Sequence, residues 1–148
     1  MIRSAVGMIV GYIAMFVVVF CVLTAAYLGM GADRAFQSGS FRPSILWDAV
    51  EIVVGLAAAT LGGFVCIAIA RKRGAVTALV VVILVLGAVS AIPVWMASGA
   101  PEAVREGGLS NMEAMMKARQ PVWIALLNPV LGIVGVLAGA RLKRGYSS

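Results

Sequence analysis

Four long apolar runs, at about 5–28, 45–70, 75–97 and 121–140, alternate with three polar interruptions along the chain. Each run reaches about 20 residues, enough for a helix to cross the hydrocarbon core of a bilayer. The centres of the runs hold no charged residue, so no stripe at helical spacing marks a water-facing side as it does on a soluble helix. The shortest interruption is the most informative. Arg71-Lys72-Arg73-Gly74 sets three adjacent cations between two apolar stretches, which suits a membrane hairpin turning in the cytoplasm and suits no soluble core.

The pattern predicts an all-α integral membrane protein with four transmembrane helices in an antiparallel bundle, a single membrane domain over residues 1–148. The outer loops are then 29–44 and 98–120, and 71–74 is the cytoplasmic turn. Sidedness follows from charge. Arg3, the triplet Arg71, Lys72 and Arg73, and the cluster Arg141, Lys143 and Arg144 fall on one side, whereas Asp33, Asp48, Glu51, Glu102, Glu106 and Glu113 fall on the other. Cations collect on the cytoplasmic side, so both termini are expected inside. Tyr27, Trp47, Trp95 and Trp123 lie at the outer ends of their spans, where an interfacial aromatic belt belongs. The first run, at about 24 residues, exceeds the roughly 7–15 residues of a signal-peptide core and reads as a retained span.

Local signals refine the connections. Residues from Gly29 to Pro43 are rich in glycine, serine and charge, as a loop is, and Pro43-Ser44 suits a helix start. Ser110-Asn111-Met112-Glu113 matches a capping box, in which the serine oxygen and the glutamate three positions on satisfy each other's orphan amides. A short outer amphipathic helix between spans three and four follows, from about Asn111 to Arg119, with Met112, Met115, Met116 and Arg119 on one side. A faint echo at an offset of about seventy residues pairs Arg3-Ser4-Ala5-Val6 with Arg73-Gly74-Ala75-Val76, and Leu61-Gly62 with Leu131-Gly132.

Composition agrees with the class. The chain is 62% hydrophobic and 12% charged, against roughly 25% charged in a soluble domain. A net charge of +6 would ordinarily suggest nucleic acid, but the cations sit at the ends of apolar runs and serve sidedness, so no nucleic-acid partner is expected. Histidine is absent, which removes the commonest general base and metal ligand. Cys21 and Cys66 lie at different depths of their spans, with no C-x-x-C between them, so no intrachain disulfide is expected. Met112, Met115 and Met116 could hold Cu(I) through thioethers, but an apolar stripe over the bundle mouth uses the same residues, and no metal or cofactor is expected.

Small residues mark helix-packing faces. Gly7 and Gly11 form a G-x-x-x-G; Gly55, Ala59 and Gly63 recur at four-residue steps; Gly132, Gly135 and Gly139 continue a face begun by Asn128. Such spacing lets backbones approach where lipid gives no hydrophobic drive for association. Gly7 and Gly11 share a depth with Gly135 and Gly139, so spans one and four are expected to close against each other at the cytoplasmic end.

Candidate polar chemistry is sparse. Asn128-Pro129 is the strongest polar break well inside a run, and an intramembrane asparagine wants a partner. Asp48 and Glu51 are one turn apart at the start of span two, which a solvated helix start explains and which a proton-coupled exporter could also use. No nucleophile stands beside a base, so an enzyme is not expected. The leading expectation is a subunit or scaffold acting through helix contacts, with a homo-oligomer or a second membrane protein as partner. The alternative is a small oligomeric transporter or channel with a polar path around Asn128, Thr60, Thr24 and Ser90. The compact Gly, Ala and Val style points to a multi-pass protein of a bacterial inner membrane.

Overall fold

A computed structural model describes residues 2–99 and 110–145, apart from the side chains of residues 144 and 145. Glu102 and Glu106, and the side chain of Arg144, lie outside the described residues. Four long helices pack as a bundle: α1 (Ile2–Met30), α3 (Ile45–Ala70), α4 (Arg73–Ala97) and α6 (Val122–Gly145). All four contain a stretch long and apolar enough to cross a membrane. Two short helices, α2 (Ala32–Ala35) and α5 (Asn111–Met116), belong to the outer connections. The chain is a multi-pass helical membrane protein.

The central element is α3, which packs most extensively on α6 and α1, while α4 leans chiefly on α6. Small residues explain this. A Cβ built on Gly7 would stand 2.7 Å from Ala70 Cβ, and one on Gly11 would stand 2.7 Å from the Gly62 carbonyl oxygen. On another side of α3, a Cβ on Gly63 would run into the Val136 carbonyl, and one on Gly139 into that of Thr60. The two glycine sets of spans one and four therefore do not meet each other: each seats on α3, on a different face. The expected contact gives way because α3 carries two small-residue stripes. Gly62, Cys66 and Ala70 receive α1, whereas Ala59 and Gly63 receive α6. Gly132 seats on Ile83 of α4 as Gly62 seats on Met15 of α1, so the echoed Leu-Gly pairs do the same job in each hairpin.

Gly55 departs from the expected packing face. A Cβ there would meet nothing within 4 Å. It lines an opening between the long helices instead.

The basic end is tied shut by its cations. Arg3 Nε donates to the Ile69 carbonyl at 3.0 Å, capping the last turn of α3. Lys143 Nζ stands 5.5 Å from the centre of the Phe64 ring. The α3–α4 turn is only Arg71 and Lys72, and Arg71 takes the left-handed conformation (φ 53°) with its N–H on the Ile67 carbonyl. Cations expected to set sidedness thus also hold helix ends.

At the opposite end the outer connections interlock. Tyr27 Oη donates to the Asn111 carbonyl at 2.6 Å, Arg119 N–H donates to the Phe41 carbonyl at 3.0 Å, and Tyr27 meets Phe36 and Trp47 edge-on. Ala114, 1% exposed, is the buried anchor of α5, which ends at Met116, one turn short of the expected Arg119. Tyr27 is therefore a core residue of this cap, whereas Trp95 and Trp123 are exposed as belt residues are.

Candidate functional site

Glu51 is reached six residues into α3, and Asn128 six residues into α6. At 1.5 Å per residue both lie about 9 Å below their helix starts, at one depth. There polar side chains bridge the two helices. Asn128 Nδ2 donates to Glu51 Oε1 at 3.4 Å, and Gln120 Nε2 donates to the same oxygen at 3.0 Å. The second carboxylate oxygen has no hydrogen-bond partner among the described residues. One turn closer to the outer end, Asp48 Oδ1 is buried and also lacks a partner among them.

The cluster borders an open-sided cavity of about 440 Å³ lined by all four long helices. Tyr12 and Met15 contribute from α1, Gly55 from α3, Gly87 and Ser90 from α4, and Pro129 and Gly132 from α6. Pro129 shapes it. A Cβ on Gly87 would collide with the Pro129 ring, so glycine at 87 is what lets α4 sit against the proline. Toward the basic end, the cavity stops where the glycine contacts of α3 with α1 and α6 begin.

No family model, curated protein or solved structure matches the chain. What the site does must therefore be argued from its own chemistry. A carboxylate among apolar walls calls for a positive partner, and no ion pair to Glu51 or Asp48 occurs among the described residues. The two amides orient the carboxylate without neutralising it. The arrangement can receive a cation, and no group of three His, Cys, Asp or Glu side chains lies together among the described residues.

The polar residues proposed for a path divide. Asn128 and Ser90 border the cavity, and Thr24 borders the neighbouring groove. Thr60 does neither: its hydroxyl donates to the Leu56 carbonyl at 2.8 Å, within the α3–α6 contact. A solvated helix start describes Asp48 only in part, since its Oδ1 is buried, and it does not describe Glu51, whose carboxylate is held by residues of and beside α6. Gln120 carries no mark in the sequence because it precedes the apolar run of span four. It also lies before the first residue of α6, so no helical spacing ties it to Asn128, and only the fold brings both to Glu51. Cys21 is exposed and Cys66 buried against α1, and both are free thiols.

Proposed function

We propose that the protein is a small non-enzymatic transporter that exchanges a cation at Glu51, working in a bacterial inner membrane with both termini in the cytoplasm. The observation that carries this reading is the Glu51 carboxylate, braced by Asn128 and Gln120 in a cavity between the four spans. A cation arriving from the outer side meets an oriented negative group in a low-dielectric setting, where attraction is strong. The basic half is closed by backbone-close glycine contacts, and access from the cytoplasm then requires α3 to shift against α1 and α6. Smooth faces of small residues favour such a shift, because few side chains must disengage.

The test is flux into vesicles reconstituted with the purified protein, using a panel of inorganic and organic monovalent cations. Wild type should move at least one of them faster than protein-free vesicles, and Glu51→Gln should reduce that rate tenfold or more. Equal rates for the two proteins, or no flux above protein-free vesicles, would overturn the reading.

A subunit role retains one observation in its favour. Only 11% of the most apolar part of α1 is buried, against 28 to 33% in the other spans. That outward face, with Ile9, Ile13, Phe16, Val17 and Phe20, suits a partner helix as well as lipid. A stoichiometric second membrane protein retained through purification in mild detergent would favour this reading.

A further inference from the structure

The Glu51 cavity continues into a second space. Val19, Leu23, Glu51 and Gln120 border both it and a larger groove of about 810 Å³ between the outer half of α1 and α5, which roofs it. The groove walls are aromatic and aliphatic, with Phe20, Tyr27, Phe36 and Trp47 on the sides and Met112 and Met115 above. Phe20 and Leu28 are 61% and 68% exposed on α1, so the groove borders the lipid at its edge. Among the described residues lining the two spaces, Glu51 is the sole acid. Arg119, the sole base there, lies in the connection after α5, outside the spans.

We infer, building on the reading of Glu51 as an exchange site, that the ligand is a lipophilic organic cation that reaches Glu51 from the outer leaflet through the groove between α1 and α5. The chemistry separates this occupant from others. A small inorganic ion replaces its water with a cage of oxygens, and these walls offer few. An organic cation replaces its water with aromatic faces and aliphatic surface, which the groove supplies, and pairs its charge with the carboxylate at the junction. The two spaces match the ~300–1,000 Å³ of sites for drug-sized ligands. A neutral acyl chain would have no use for Glu51, and a carboxylate would repel an anionic lipid headgroup.

The experiment is binding of radiolabelled tetraphenylphosphonium to the purified full-length protein by equilibrium dialysis. Saturable binding is expected, weakened tenfold or more by Glu51→Gln, partly restored by Glu51→Asp, and weakened similarly by Leu23→Trp, which fills the junction. Val19→Trp serves if Leu23→Trp fails to run as a folded species on gel filtration. Binding that never saturates, or that is indifferent to Glu51→Gln and to the tryptophan variants, would overturn the inference and leave the groove a place for lipid. If Glu51-dependent flux of potassium persists without tetraphenylphosphonium binding, the ligand class is wrong and the transporter reading stands. If neither is seen, both fall.

Discussion

Glu113 and Ser110 hold the start of the roof helix through reciprocal hydrogen bonds. Ser110 N–H and Oγ both donate to Glu113 Oε2, at 3.0 and 2.8 Å, and Glu113 N–H returns one to Ser110 Oγ at 3.3 Å. The Ser110 amide first, then its hydroxyl, hold the Glu113 carboxyl below its ordinary value of 4.5. Because the folded state favours the ionised form, the stabilisation is present above 4.5 and is lost as pH falls through the lowered value. Amide exchange across α5, corrected for intrinsic rates, should therefore stay slow down to about pH 4.5 and quicken below it. Glu113→Gln should flatten that dependence. This capping pair was legible from four adjacent residues, as local chemistry is. The partners of Glu51 were not, since Gln120 and Asn128 come to it from 69 and 77 positions away.

On the scale of helices, α3 carries a regular spacing whose three members have different fates. Ala59 is fully buried and Gly63 abuts the Val136 backbone, but Gly55, on the same register, faces the cavity. Gly63→Ala should therefore cost about 1–3 kcal/mol, the usual penalty for overpacking. Gly55→Ala should leave stability unchanged or raise it by up to about 1 kcal/mol, because the added methyl meets nothing within 4 Å and alanine favours the helix. Unfolding midpoints in a detergent titration will separate the two, and equal losses would contradict the open setting of Gly55. The four-residue period was visible in the chain; which member faces the opening was not, because a period states which residues share a face and nothing about what stands opposite. The second stripe, Gly62, Cys66 and Ala70, does not stand out in the sequence for a related reason. Cysteine and alanine act as small residues only where a glycine such as Gly7 or Gly11 comes close enough to use them.

For the molecule as a whole, the basic end and the capped end differ in construction. Arg3 and Lys143 clamp one, and the other is roofed by α5 through Tyr27, Asn111 and Ala114. If the cations face the cytoplasm, a cysteine placed at Gly74 should be shielded from a membrane-impermeant maleimide in intact cells, while one at Ser110 should react. Labelling of both from outside would contradict the four-span threading, and the converse pattern would reverse the proposed direction of access to Glu51. Length, hydropathy and the placement of Arg71, Lys72 and Arg73 were enough to specify four spans and a basic end, because crossing a bilayer is decided segment by segment against a uniform apolar solvent. Which helix sits at the centre, which glycine meets which backbone, and that Glu51, Asn128 and Gln120 share one cavity were decided only by tertiary packing. In lipid that packing is driven by shape fitting between distant surfaces, and shape is a property of the assembled helices rather than of any one run.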